Sequence, residues 1–104
     1  MLVEPFTVEI DDDLEDIVPG FLENRKNDVL ELQNFYEKRE FKEIERIGHK
    51  VSGSSGGYGF HQLGKIAKEI ELSAGEENEE KVRKLITDFI DYVDNVEVKF
   101  IKVD

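Results

Sequence analysis

Residues 41–60 read FKEIERIGHKVSGSSGGYGF, and this stretch combines a helical repeat with an abrupt, glycine-rich end. Its apolar residues recur every three or four positions, at Phe41, Ile44, Ile47 and Val51. That spacing predicts an amphipathic helix over about 41–54, with one apolar face against a core. The segment GSSGGYG at 53–59 then breaks the repeat, and we interpret it as a tight connection to another helix.

The sequence after this break shows the helical repeat twice more. The third helix in chain order is marked by Leu63, Ile66, Ala67 and Ile70. We expect it to end near Gly75, because glycine is the usual C-terminal cap. Asn78 is suited to cap a fourth helix, and Glu79 and Glu80 suit the positive end of its dipole. The apolar stripe of that helix comprises Val82, Leu85, Phe89, Val93 and Val96.

The sequence before residue 41 predicts the first helix, over about 14–37. Its apolar positions are Phe21, Val29, Leu32, Phe35 and Tyr36. The Pro-Gly pair at 19–20 is a point where this helix could be interrupted. Asp12 and Glu15 have the spacing of a capping box at its start. Residues 1–10 form a short lead-in, whose Val-Glu-Ile alternation is too brief to predict a strand.

Together these four segments predict an all-α protein. Amphipathic helices joined by short loops typically pack as antiparallel neighbours. We therefore expect an up-down-up-down antiparallel four-helix bundle with a short N-terminal lead-in, in which residues 1–104 form a single domain. An α/β fold would require buried β-branched runs between the helices, and the sequence has none.

The charge and composition restrict the possible partners. The chain has 104 residues, a formal net charge of −11 and no cysteine. An acidic surface repels nucleic acids and anionic membranes, so we expect protein partners. The lack of cysteine excludes disulfides and thiolate metal sites. There is no signal peptide pattern at the N-terminus and no run of about 20 apolar residues, which predicts a cytoplasmic location and no membrane contact.

His49 is the residue that points to a function. At 100° per residue it lies about 155° from the centre of the apolar stripe of its helix, so it faces outward. Gly53 follows one turn later on the same face, where glycine costs about 1 kcal/mol relative to alanine. Access for a partner to the histidine is one reason for that glycine, and fraying of the helix into the loop is the other. An exposed histidine with no function is the alternative for His49 itself.

An exposed imidazole is a competent nucleophile toward an activated phosphoryl group. The product gains roughly two negative charges, so cationic or hydroxyl groups are expected beside it. Ser52, Lys50 and Lys65 are candidates for such contacts, and Glu45 is a candidate for orienting the ring. For each of them the alternative is ordinary solvated surface.

Nucleotide and metal sites are not indicated. In the Walker pattern that begins at Gly53, Tyr58 takes the place of the second glycine, and in G-x-G-x-x-G from Gly57, Gln62 takes the place of the last. The only other histidine, His61, is twelve positions from His49, and the carboxylates lack EF-hand spacing. We therefore expect neither a cofactor nor a metal.

The segment HKVSGSSGGYGF at 49–60 resembles the signature of histidine phosphotransfer (HPt) domains. Those domains show a histidine, Lys-Gly three and four residues later, small residues, and a glycine ten positions after the histidine. The matching positions here are His49, Gly53, Ser54, Ser55 and Gly59. One position departs from the pattern, because Ser52 stands where the family has its lysine. Lys50 projects from another face of the helix and is not its equivalent.

The resemblance implies a step in a bacterial two-component phosphorelay. His49 would accept a phosphoryl group on Nε2 from a response-regulator receiver domain, which binds Mg²⁺ on its own side, and would pass it to another receiver. A hybrid histidine kinase is a further implied partner. Such a protein is a monomeric phosphoryl carrier without a cofactor and without turnover of its own. Gly53 and the following loop would belong to the docking surface.

Two other functions stay open. The departure at Ser52 is compatible with an HPt-like helical interaction module that binds a receiver or a kinase but is not phosphorylated. A small enzyme that uses acidic residues or the glycine-rich loop is the third hypothesis, although it requires a concave pocket that a bundle of this length has little room to build.

Overall fold

A computed structural model of the chain describes residues 6–103, with only the backbone described at residue 6. The regular elements in chain order are β1 (Phe6–Asp11), α1 (Val18–Glu37), α2 (Phe41–Ser55), α3 (His61–Gly75), α4 (Glu79–Asn95) and β2 (Val96–Ile101). Two 3₁₀ turns accompany them, at Asp12–Leu14 and Gly56–Tyr58. The four expected helices are all present, so the predominantly helical fold is confirmed.

A small parallel sheet was not predicted, and the lead-in was wrongly read as having no strand. Strand β1 pairs with β2 in a register that sets Val8 opposite Val98 and Ile10 opposite Phe100. The partner strand lies about ninety positions away, and pairing over such a distance leaves no local signal beyond a short alternation. Val96, assigned to the stripe of the fourth helix, instead begins β2. The first five residues of the lead-in lie outside the described part.

The start of the first helix also differs from the prediction. The Asp11 carboxylate accepts a hydrogen bond from the backbone N–H of Asp13 at 2.9 Å and caps a 3₁₀ turn, so the capping box at Asp12 and Glu15 was wrong. Helix α1 begins only at Val18, with Pro19 in its first turn. The helix is not interrupted there, because the first turn has no hydrogen-bond partner for the missing N–H.

The core is built from the predicted stripes of the helices. Its fully buried side chains include Leu32 of α1, Ile44, Ile47 and Val51 of α2, Leu63 and Ile70 of α3, and Val82 and Phe89 of α4. Phe60, which follows the glycine-rich segment, is also completely buried. Its ring stacks on Phe21 at a centroid distance of 5.0 Å, and Phe21 stacks on Tyr58 at 4.5 Å. The connection after α2 therefore returns apolar surface to the core.

Helices α2 and α3 approach each other closely through small residues. Gly48 faces the backbone of Ala67 and Glu71, whereas Gly64 faces Ser52 and Ser55 farther along α2. The contacts thus run in opposite directions along the two helices. This packing sets which residues of α3 lie beside His49.

Candidate functional site

His49 lies on the solvent-facing side of α2, and 76% of its side chain is exposed. Its neighbours in sequence on the core side, Ile47 and Gly48, are buried. The outward direction predicted from helical geometry is therefore confirmed. A reactive group on a partner can approach the ring without any movement of the backbone.

Glu71 on α3 holds one nitrogen of that ring. The Nδ1 atom of His49 lies 2.9 Å from Oε2 of Glu71. Because an ionised carboxylate can only accept hydrogen bonds, the contact with Glu71 places the proton of the neutral ring on Nδ1. The lone pair then lies on Nε2, which makes Nε2 the nucleophilic nitrogen of the ring.

The Glu71 carboxylate is kept ionised by its surroundings. Burial raises the pKa of this carboxyl, but hydrogen bonds from Lys68 and His49 together outweigh burial and hold the pKa below its ordinary value of 4.5. The Lys68 ammonium lies 3.2 Å from Oε1, the oxygen that does not face His49. The three side chains form a chain of contacts from Lys68 through Glu71 to the ring.

Gly48 makes the contact between His49 and Glu71 possible. A methyl group added at Gly48 would lie 2.7 Å from the backbone nitrogen of Glu71 and 2.8 Å from the carbonyl oxygen of Ala67. Both atoms belong to the backbone, so α3 would have to shift. Glycine at this position brings the two helices close enough for a side chain of α3 to reach the ring.

The sequence interpretation missed Glu71 and assigned ring orientation to Glu45 instead. The Glu45 carboxylate lies at the end of α3, where Oε2 is 3.0 Å from the place of a methyl group on Gly75. Glu71 could not be identified from the sequence alone, because its distance from His49 depends on the register of two helices. The one available signal was the glycine immediately before His49, on the buried face of a helix, where it indicates close backbone approach.

The three serines after His49 direct their hydroxyls to their own helix. Ser52 Oγ donates to the carbonyl of His49 at 3.0 Å, and Ser54 Oγ donates to the carbonyl of Lys50 at 3.2 Å. Ser55 is fully buried and donates to the carbonyl of Val51 at 2.7 Å. Such bonds are typical of serine near the end of a helix. In this structure none of the three hydroxyls is directed at the ring of His49.

A family model for the Hpt domain matches residues 2–97. The chain belongs to the Hpt domain family. Searches of curated proteins and of solved structures gave no match. The resemblance drawn from residues 49–60 is thereby confirmed. Hpt domains are phosphotransfer carriers of two-component signalling and interact with receiver domains and kinases.

Lys50 of this Hpt domain is bound to the opposite neighbour, helix α1. Its ammonium lies 2.9 Å from Oδ1 of Asp28, a carboxylate that is 97% buried. The other oxygen of Asp28 lies 2.8 Å from Nε of Arg25. The guanidinium of Arg25 in turn covers the Phe21 ring at 4.6 Å. Lys50 thus belongs to a cluster between α1 and α2, and its bond to Asp28 competes with the predicted contact to a phosphoryl group.

The two signature glycines have different structural roles. A methyl group on Gly53 would have no neighbour within 4 Å, so the exposed face beyond His49 is open. Gly59 has φ of 89°, in the left-handed region, and follows the 3₁₀ turn after α2. A side chain there would be strained by this backbone conformation, and its Cβ atom would lie 3.4 Å from Ile10 of β1. Gly59 therefore shapes the connection to α3, whereas Gly53 leaves space for a partner.

The surface around His49 is shallow. A depression of 370 Å³ is lined by Lys42, Glu45, Arg46, His49 and Glu71. The larger hollow, of 790 Å³, lies between α3 and α4 and does not include His49. Lys65 is exposed on α3, one turn before Lys68, and its role stays a prediction. A shallow surface with an exposed nucleophile suits docking of a protein better than enclosure of a small substrate.

Possible metal ligands cluster at one place in the described residues. The carboxylates of Asp11, Asp12 and Asp13 lie within 4.8 Å of one another. This group includes neither histidine, and one of its members already caps the 3₁₀ turn. Among residues 6–103, no helix is both long and apolar enough to cross a lipid bilayer.

Proposed function

We propose that this Hpt domain carries a phosphoryl group on Nε2 of His49 and relays it between receiver domains. The observation that carries the proposal is the hydrogen bond from Nδ1 to Glu71, together with the exposure of the ring. The bond supports a neutral tautomer whose lone pair faces a partner. In a phosphotransfer reaction this chain supplies the oriented nucleophile, and the receiver supplies the activated phosphoryl group.

In the proposed step the Nε2 lone pair attacks the phosphorus of a receiver's aspartyl phosphate. A P–N bond forms while the P–O bond to the aspartate breaks, and the aspartate leaves as a carboxylate with the bonding electrons. The proton stays on Nδ1, where the ionised Glu71 balances the positive charge that develops on the ring. The reverse step delivers the group to a second receiver. No residue of this chain has to change its protonation state.

Docking of the receiver is proposed on the surface that carries His49 and Gly53. The open space at Gly53 supports it, because a partner's loop can lie against the helix there. Ser54, Ser55 and Gly59 contribute through the shape of the helix end and the connection. Glu45 and Lys65 stay as candidates for partner contacts on either side of the histidine.

A second candidate function is an Hpt-like module that binds a receiver or a kinase without being phosphorylated. Ser52 favours it, because the hydroxyl at the family's lysine position is bonded to the backbone of its own helix. Such a module would still bind receivers, but no phosphoryl group would be transferred to His49.

We also propose that the four helices alternate in direction, that the chain is one domain, and that it acts as a cytoplasmic monomer. The reversed contacts of α2 and α3 support the first point. Light scattering during size-exclusion chromatography tests the monomer, and a mass of twice the chain would refute it. Cell fractionation tests the location.

The experiment that tests the relay uses a panel of receiver domains labelled on aspartate, with Mg²⁺ present. Acid-labile label should move to the chain and onward to a second receiver. His49→Gln should receive none, whereas His61→Gln, a matched change at another exposed histidine, should receive it normally. Receiver binding without label supports the non-phosphorylated module. Label on His49→Gln would refute the site.

A further inference from the structure

The site of this Hpt domain lacks a cation where the family has one. Ser52 takes the lysine position, and its hydroxyl donates to the carbonyl of His49. A phosphoryl group adds roughly two negative charges beside the ring. The ionised Glu71 already lies on the other ring nitrogen. Two anionic groups on one imidazole repel each other unless a cation lies close to both.

Lys68 is the cation that the structure places there. Its ammonium lies 3.2 Å from Oε1 of Glu71, and Oε2 of the same carboxylate lies 2.9 Å from Nδ1 of His49. The Glu71 carboxylate thus lies between the Lys68 ammonium and the His49 ring. Its side chain is 55% exposed, so the flexible ammonium can reach a group that arrives from solvent.

The register of α2 and α3 brings Lys68 to the side of the ring where the family's lysine would lie. Glu71 packs beside Gly48, and Gly64 packs beside the backbone of Ser52. Lys68 lies one turn from each of these α3 residues, on the same face of the helix. It therefore stands between His49 and position 52, but it comes from the neighbouring helix.

The other cations near His49 are bound to other groups, or lie farther from position 52 or from Glu71. Lys42 lines the same depression as His49, but it lies two turns before His49, on the side away from Ser52. Lys50 is bound to the buried Asp28. Arg46 is bound to Glu43 at 3.0 Å and lies one turn before His49, on the side opposite to Ser52. Lys65 lies one turn farther from Glu71 along α3 than Lys68 does.

We infer that Lys68 stabilises the phosphoryl group on His49 and so substitutes, from α3, for the lysine that Ser52 replaces on α2. This inference rests on the proposed function. Lys68 acts as a positioning residue in the resting protein, where it holds Glu71 against the ring. It becomes a direct contact of the phosphoryl group once that group is bound to Nε2.

The test measures the rate of transfer from a labelled receiver and the lifetime of the phosphohistidine. We expect Lys68→Met to slow transfer and shorten the lifetime by about ten-fold. Lys68→Arg should stay within about three-fold of the wild type, because the charge is kept. Lys84→Met, a change at an exposed lysine of α4, is the matched control and should leave both quantities unchanged. Thermal unfolding should be the same in all variants, since both lysines are exposed.

The deciding variant is Ser52→Lys combined with Lys68→Met. A lysine at 52 cannot restore the contact of Lys68 with Glu71, but it can supply a cation to the phosphoryl group. Recovery of transfer and lifetime supports the inference, and no recovery contradicts it. Wild-type rates in Lys68→Met alone, or an equal loss in Lys84→Met, would also overturn it. If the wild-type chain itself takes up no label, the proposed function fails first, which separates the two failures.

Discussion

The Nδ1 atom of His49 on α2 lies 2.9 Å from Oε2 of Glu71 on α3, so one helix decides which nitrogen the other presents to solvent. The orientation of the nucleophile is thus a property of helix packing. The close approach at Gly48 is its structural cause. Substitutions can disturb the hydrogen bond, the charge and the helix packing separately.

The role of Glu71 separates into orientation and charge. Glu71→Gln keeps an acceptor for Nδ1–H but removes the negative charge, whereas Glu71→Ala removes both. We expect about a ten-fold loss of transfer rate in Glu71→Ala and a smaller loss in Glu71→Gln. Nitrogen-15 shifts of His49 should show a mixture of ring tautomers in Glu71→Ala. Equal rates in both variants and the wild type would contradict the role of Glu71.

Two glycines of α2 should respond in opposite ways to alanine. Gly48→Ala places a methyl group against the backbone of α3 and should reduce the free energy of unfolding by about 2 kcal/mol. Gly53→Ala meets no neighbour and gains helix propensity, so unfolding should cost up to about 1 kcal/mol more. Denaturation by urea measures both. If Gly48→Ala were as stable as Gly53→Ala, the close approach of the helices would be wrong.

Lys50 should matter for stability and not for transfer. In Lys50→Met the buried Asp28 keeps its contact with Arg25, but its Oδ1 atom loses the hydrogen bond from Lys50, so we expect a cost of about 1–3 kcal/mol. The transfer rate should equal that of the wild type. A loss of ten-fold or more, with the fold intact, would instead support the contact between Lys50 and the phosphoryl group.

Acid should remove the stabilisation that Glu71 provides. Its pKa in the folded protein is below the ordinary value of 4.5, so the ionised form stabilises the fold above about that pH. The contribution is lost as the pH falls through the lowered pKa. The difference in unfolding free energy between the wild type and Glu71→Gln should therefore shrink as the pH falls below 4.5. The other carboxylates are common to both proteins and cancel in the difference.

The sequence was sufficient for those parts of the fold that depend on local periodicity. The stripe of α2 at Ile44, Ile47 and Val51 is buried as predicted, and His49 is exposed because the same geometry turns it outward. Asn78 caps α4 through a hydrogen bond from the N–H of Lys81, again a local effect. In these cases the interacting residues lie within one or two turns of each other.

The features that were missed depend on distant pairs. Strand β1 is recognisable only with β2, and Glu71 is a ring partner only once α3 lies against Gly48. Lys50 and Glu45 lie on the same helix as His49, yet their side chains are directed to α1 and to the end of α3. Position along one helix restricts which side chains share a face. It does not tell which neighbour each of them binds.

The position of the phosphoryl group on the histidine ring shows whether Glu71 selects the reactive nitrogen of His49. The chain, labelled with nitrogen-15 in histidine, is phosphorylated by a receiver domain and examined by NMR for coupling between phosphorus and nitrogen. We expect one phosphohistidine, at Nε2 of His49, with Nδ1 still carrying its proton. Coupling to Nδ1, or a phosphoryl group on any residue other than His49, would contradict it.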